Sequence, residues 1–335
     1  MPVRAFTRAV LPWSIWPAVP TIMFFMAPAI IVLLGFAAAN AQQAAPAGSP
    51  VFRAGVSLVK VDVQVVDHNG RVISGLTKDD FRVYDDGRPQ KIVYFGQEKE
   101  PLDLVLLLDV SGSMYRHLEQ LAATALASLK QLFAGDRVAV MLFARRSTVR
   151  EPLTEDFRAV EEELRDAVRT NSLGSGTAIN SGIVDAAQYL QQQPPRGRRA
   201  VLIVTDNLSL NYRVPDEDVI RQLYAADAVL NGIVIGKQKH PAAPRPGQYV
   251  NPDFTFSDVF KLAEESGGEA MEGGKIGDAF EHMIERIRAR YSLQYDAPQT
   301  APGVLHRIQV QLTPETRAHH MNAVIRARAG YYGVQ

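Results

Sequence analysis

The sequence predicts an α/β fold: a doubly wound, mostly parallel sheet flanked by β-strand segments that form a small β-sandwich. Three observations carry this. From Asp103 to about Ala289, continuous apolar runs of strand length alternate with stretches whose apolar residues recur every three or four positions. Before and after that region, apolar and polar residues alternate one by one, as in half-buried strands. The chain is 335 residues long, 47% hydrophobic and 21% charged, a folded composition large enough for more than one domain.

Residues 1–41 are expected to be a signal peptide or an N-terminal membrane anchor. Arg4 and Arg8 precede an apolar stretch from Val19 to Ala39 that ends in "AAANAQQ". The stretch is close to the roughly 20 residues that cross a bilayer, but Pro20, Pro28 and the Ala39-x-Ala41 pattern favour cleavage after Ala41. Either outcome places the remainder outside the cytoplasm, in the periplasm, the cell envelope or the extracellular space. Residues 42–52, with "QQAAPAGSP", form a linker.

Residues 53–98 read as an N-terminal β segment. Val59, Val61, Val63 and Val65 share one face, while Lys60, Asp62 and Gln64 share the other. Asn69-Gly70 and Asp86-Gly87 supply turns that tolerate positive φ. The segment is too thin to be very stable alone.

Residues 99–291 form the α/β domain. "LVLLLDV", "RVAVMLFA", "AVLIVTD" and "AVLNGIVIG" suit strands buried on both faces. Leu118, Leu121, Ala122, Ala125, Leu126 and Leu129 make one helical stripe, and Phe280, Met283, Ile284 and Ile287 another. "PPRGRR" at 194–199 reads as a solvated loop entering the next strand. Residues 292–335 return to alternation, with Ile308, Val310 and Leu312 on one strand and Ile325, Ala327 and Ala329 on another; Arg326 and Arg328 take the latter's opposite face. Two thin β pieces around an α/β domain predict that 53–98 and 292–332 pack together, with the α/β domain inserted between them.

Bulk charge names no partner. Thirty-six basic residues balance 36 acidic ones, which argues against a nucleic-acid backbone; a membrane enters only through the N-terminal segment, if that is uncleaved. The absence of cysteine removes disulfides, thiolate metal sites and cysteine nucleophiles. The chemistry must lie in a local constellation.

In doubly wound sheets, ligands bind beyond the carboxyl ends of the strands. Asp109 in "LLLDVSGSM" and Asp206 in "LIVTDN" stand at such ends. Two acids on adjacent strands repel unless a cation lies between them. Oxygen donors without sulfur or imidazole select a hard ion: magnesium, or manganese or calcium. Ser111 and Ser113, alternate residues around Gly112, aim two hydroxyls at one point, and Thr177 in "NSLGSGTAINSGI" offers a third. Ser175 and Ser181 read as turn and cap residues, Asn180 as support for that loop, and Thr205 as the end of its strand.

The set "DVSGS", "GSGTAI" and "TDN" resembles the metal-ion-dependent adhesion site (MIDAS) of von Willebrand factor A domains. The resemblance implies that Ser111, Ser113 and Thr177 are hydroxyl ligands and that Asp109 and Asp206 act directly or through water. It also implies a partner protein presenting Asp or Glu to the metal, and a loop change that couples to the last helix, about residues 276–290. The flanking "VDVQVVDHNGRVISGLTKDDFRVYDDGRPQKIVYF", "RYSLQYDAP" and "VIRARAGYY" extend the likeness, over roughly 53–333, to the von Willebrand factor A related proteins of acidobacteria. Asn207 departs from the glycine that often follows the last acid.

Enzyme readings fit less well, and no catalytic residue is assigned. A phosphotransferase of the haloacid dehalogenase type needs an aspartate where Ser111 stands, and no Gly-x-Ser-x-Gly marks a serine hydrolase. "GSGT" lacks the full dinucleotide or Walker pattern. The seven histidines form no ligand pattern; His319-His320 reads as an exposed loop pair and His117 as a solvated first-turn residue. The expectation is an exported, metal-dependent adhesion or scaffold module, with a metal-dependent hydrolase or a metal-free structural envelope protein as alternatives.

Overall fold

The computed structural model describes residues 58–333, apart from 97–99, 168, 170–172, 175, 209–210, 213, 237–253, 256 and 299–300. The expected leader at 1–41 and linker at 42–52 lie outside the described residues. Among the described residues, no helix is long and apolar enough to cross a membrane.

In chain order the first strands are β1 (Leu58–Val66), β2 (Phe81–Asp85), β3 (Arg88–Gln90) and β4 (Ile92–Gly96). The α/β region follows with β5 (Leu102–Asp109), α1 (Tyr115–Leu129), β6 (Arg137–Phe143), β7 (Ser147–Thr154), α2 (Phe157–Ala167) and α3 (Ile179–Gln192). It continues with β8 (Arg198–Thr205), β9 (Asn211–Tyr212), α4 (Asp216–Ala225), β10 (Ala228–Val234) and β11 (Phe254–Thr255). Its last elements are α5 (Val259–Ser266), β12 (Ala270–Glu272) and α6 (Ile276–Arg288). The tail holds β13 (Tyr291–Asp296), β14 (Leu305–Leu312), α7 (Pro314–His319), β15 (Val324–Arg326) and β16 (Gly330–Tyr332).

The central sheet has the order β12-β10-β8-β5-β6-β7, parallel throughout except for the antiparallel pair β6–β7. β5 is buried along its whole length because helices cover both sheet faces. Leu104, Leu106 and Leu108 pack with α1, α2 and α6, while Val105 and Leu107 point the other way into α3, α4 and α5. That two-sided burial is what the unbroken apolar run encodes. After β5 the chain builds outward through β6 and β7, then crosses back to β8 on β5's other side. The carboxyl ends of β5 and β8 therefore flank the point where strand order reverses, the usual place for a ligand.

The β pieces before and after this sheet interleave. β1 pairs antiparallel with β13 and β15, and β14 pairs with β2, giving two four-stranded sheets, β15-β1-β13-β4 and β16-β14-β2-β3. Val61, Val63, Phe81, Val83, Leu293, Tyr295, Ile308 and Leu312 from both sheets share one core. The alternation of valines in β1 is the imprint of that sandwich. Gly70, Asp86 and Gly87 all have positive φ, as the two predicted turns require.

Two expectations are corrected. The segment read as one strand through Ile325, Ala327 and Ala329 is two short ones, because the chain leaves β1 at Arg326 and reaches β14 only at Gly330, changing sheets in between. Arg198 and Arg199 of "PPRGRR" are not solvated; they are buried in β8. Arg198 donates to Arg288 O at 2.8 Å, and Arg199 to Ala226 O and Gln193 O at 3.0 and 2.8 Å.

Candidate metal centre

The site grows from the end of β5. Asp109, fully buried, is the last residue of that strand, and Val110 N donates to Phe143 O at 2.9 Å, carrying the β5–β6 pairing one residue further. The chain then turns: Ser111 N donates to Asp109 Oδ1 and Met114 N to Ser111 O, both at 2.9 Å, before α1 begins. Asp109 Oδ2 accepts from the Thr205 hydroxyl of β8 at 2.7 Å. Burial pushes the Asp109 carboxyl up to about 6 against the pull of its Thr205 and Ser111 hydrogen bonds, and the nearby Asp206 charge pushes the same way.

In front of this buried acid lie more accessible oxygens. The Ser111 and Ser113 hydroxyls are 3.2 Å apart, and Ser113 Oγ donates to Asp206 Oδ2 at 2.6 Å. Asp206 Oδ1 accepts from Leu208 N at 3.1 Å, which holds the loop after β8 in place. Thr177 is buried in the loop before α3, whose Ala178 N donates to Ala144 O at 2.8 Å just past β6. Gly174 and Gly176 in that loop both have positive φ. The fold thus joins Asp109, Ser111, Ser113 and Asp206 through direct hydrogen bonds, and ties the Thr177 loop to the end of the strand beside β5.

This donor set fits a hard divalent cation. Neighbouring ligands on an octahedral ion with bonds of ~2.1 Å stand roughly 3.0 Å apart, a spacing that the 3.2 and 2.6 Å contacts bracket. The donors are hydroxyls and carboxylates, without nitrogen or sulfur. The hydrogen bonds that hold Asp109, Ser111, Ser113 and Asp206 together come from hydroxyls and backbone amides, a neutral donor set around two acids that suits a cation.

Residues 104–208 match the family model of the von Willebrand factor type A domain, a segment that runs from β5 through the loop after β8. The chain contains a von Willebrand factor type A domain. Among curated proteins none matches the chain. Similar solved structures include an aerotolerance-related membrane protein from Bacteroides fragilis with multiple mutations to serines, at 19% identity over 56% of this chain and 98% of that one, TM-score 0.42. A von Willebrand factor type A structure from Catenulispora acidiphila shares 12% identity over 84% and 75% of the two chains, TM-score 0.41. Proximal thread matrix protein 1 from the mussel byssus, with a zinc-occupied MIDAS motif, shares 17% identity over 62% of this chain and 50% of its own, TM-score 0.44.

Within the A domain, Asn207 proves compatible with the place where the family often has glycine. Its φ is 59°, in the left-handed region that asparagine tolerates better than most residues. Its side chain is also used: Asn207 Oδ1 accepts from Val259 N at 3.2 Å and Nδ2 donates to Asp258 Oδ1 at 3.3 Å, tying the Asp206 loop to the start of α5.

Sequence reasoning undervalued Thr205. It does end its strand, but its hydroxyl also holds Asp109 and accepts from Asn207 N at 3.2 Å. A threonine directly before the last acid was the only available signal. Asn180 supports its loop as expected: its Nδ2 donates to Val214 O at 2.7 Å and Asp216 Oδ1 at 3.1 Å, and its Oδ1 accepts from Ser257. Ser181 lies in the first turn of α3 rather than capping it, since the cap position is Ala178; Ser175 lies outside the described residues. His319 ends the short helix α7, exposed, and His117 sits half-buried in the first turn of α1.

Proposed function

We propose that the chain is an exported protein-binding module whose A domain holds a magnesium ion, or manganese or calcium, and captures an Asp or Glu of a partner protein. The observation that carries this reading is the Ser111–Ser113–Asp206 cluster at the open end of the sheet, backed by the buried Asp109. Ser111, Ser113 and Thr177 would hold the ion, with Asp109 and Asp206 acting directly or through water. The bound ion supplies a positive site that attracts an external carboxylate, retaining charge because neutral hydroxyls provide much of its coordination.

The protein's own residues shape the rest. Thr205 and the Ser111 amide orient Asp109 behind the hydroxyls that would hold the ion. Tyr115 and Leu208, each two residues after a member of the cluster, are 50% and 51% exposed and would give a docking side chain apolar surface. Export rests on Arg4, Arg8 and the apolar stretch that follows them.

Capture of a partner from the native envelope with the full chain tests this. Magnesium should support capture, chelator should release it, and Asp109→Ala should abolish it. Capture that ignores chelator would favour a metal-free structural module. Turnover of a phosphoester or peptide library that is lost in Asp109→Ala would favour the hydrolase reading.

A further inference from the structure

Outside the A domain, a second set of metal-ligating side chains converges in the β sandwich. Asp85 ends β2, Asp86 follows it in the turn, and His306 lies on β14, the strand paired with β2. One ligand atom from each lies within 4.8 Å of the others. Asp86 adopts φ 48°. It is fixed there by Arg307, whose amide donates to Asp86 Oδ1 and whose carbonyl accepts from the Asp86 amide, both at 2.9 Å. That leaves Asp86 Oδ2 facing His306 Nδ1 at 2.8 Å.

Asp85 supplies the independent observation. It is 1% exposed, and its Oδ2 accepts from the hydroxyls of both Tyr295 and Tyr331 at 2.9 Å. Its Oδ1 is equally buried, has no hydrogen-bond partner, and stands 4.0 Å from His306 Nδ1. A buried carboxylate oxygen without a donor is costly, and a cation is a direct remedy. The imidazole is held by stacking on Tyr331, with ring centres 5.1 Å apart.

We propose that Asp85, Asp86 and His306 bind a divalent transition-metal ion of the zinc class, through Asp85 Oδ1, Asp86 Oδ2 and His306 Nδ1. Ligands on a tetrahedral ion with bonds of ~2.1 Å stand roughly 3.4 Å apart. The 2.8 Å contact has to open, and the 4.0 Å contact to close, by about 0.6 Å each. One imidazole with two carboxylates is a borderline donor set, distinct in preference from the hydroxyl-rich site of the A domain. The two tyrosines fix the orientation of Asp85, and the Asp86 side chain, 49% exposed, provides the entry path. The ion would cross-link β2 to β14, joining the strand segments that precede and follow the A domain, and so would stabilise the fold.

Cobalt titration of the full chain carrying Ser111→Ala and Ser113→Ala isolates this site. The expected result is one cobalt ion with a visible ligand-field band and a paramagnetically shifted imidazole N–H resonance, displaced by zinc. His306→Gln should remove the shifted resonance, and His306→Gln and Asp86→Asn should each weaken cobalt binding about tenfold or more. Asp86→Asn keeps an acceptor for the Arg307 amide, so it reports even if His306→Gln does not fold. Cobalt affinity unchanged in Asp86→Asn, or no cobalt bound by the parent, would overturn the proposal and leave His306 as a hydrogen-bond partner of Asp86.

Discussion

Asn207, at φ 59°, shows how a single position serves both backbone and contact. Glycine there would keep the conformation but lose the hydrogen bonds to Asp258 and Val259. Alanine loses the hydrogen bonds and adds left-handed strain. Chemical denaturation followed by circular dichroism should therefore rank Asn207→Ala as less stable than Asn207→Gly, by about 1 kcal/mol; the reverse order would contradict the argument. Asp109 carries a pH signature. Its folded pKa of about 6 lies above the unfolded value of 3.8, so the folded, metal-free protein holds this proton more tightly. Its contribution is fully stabilising below 3.8 and is lost as pH rises through about 6. Asp109→Asn should flatten that part of the metal-free stability profile by up to about 3 kcal/mol, and an unchanged profile would mean Asp109 is not the group. Asp109, Ser111 and Ser113 were legible because their spacing is local, five residues in "DVSGS", whereas Thr177 and Asp206 were joined to them by their places at a loop and a strand end and by the resemblance. The Thr205–Asp109 bond was not legible, because 96 residues separate its ends.

At the scale of elements, the tight seat of α3 against β6 positions the Thr177 loop. Gly182 permits it: a Cβ there would meet the Phe143 ring at 3.0 Å, and Phe143 is itself buried in the core. Helix propensity alone would make Gly182→Ala stabilising by about 0.5–1 kcal/mol. Overpacking against a ring that cannot retreat costs about 1–3 kcal/mol, so the net effect should be destabilising. Titration with magnesium should also show weaker binding, because α3 begins two residues after Thr177. A stabilised Gly182→Ala protein with unaltered magnesium affinity would count against this coupling. The central strands and helices were readable from their period, since burial on two faces and on one face leave different patterns. The split between β15 and β16 was hidden, because three-residue strands are too short to show a period.

Across the whole molecule, a belt of buried polar groups joins the sandwich to the A domain at the end of the sheet away from the metal centre. Glu269 receives Arg286 at 2.7 Å and Gln64 at 3.2 Å, with Arg326 at 3.6 Å. Arg290, wholly buried and with its pKa lowered to about 10 by that burial, donates to Asp62 O at 3.1 Å and to Gly267 O. Arg286 also reaches Gly70 O at 2.6 Å, so the end of α6 is anchored in the sandwich, and any movement of that helix would have to strain this contact. Glu269→Ala should cost about 1–3 kcal/mol by removing the carboxylate that Arg286 and Arg326 share, since both arginines keep some access to solvent. It should also broaden or split the thermal transition, which is expected to be single in the parent chain. The interleaving of the flanking strands was legible from their alternation, whereas this belt was not, because Arg286 and Arg290 find Gly70 O and Asp62 O more than 200 residues away in sequence.

The central claim is that Asp109, Ser111, Ser113, Thr177 and Asp206 form a working cation site. Manganese binding by electron paramagnetic resonance tests it directly, with the full chain carrying His306→Gln so that the A domain alone is read. One manganese ion, displaced by magnesium and lost when Ser111→Ala and Ser113→Ala are added, is the predicted result. Manganese binding that survives those two substitutions unchanged, or never occurs, would contradict it.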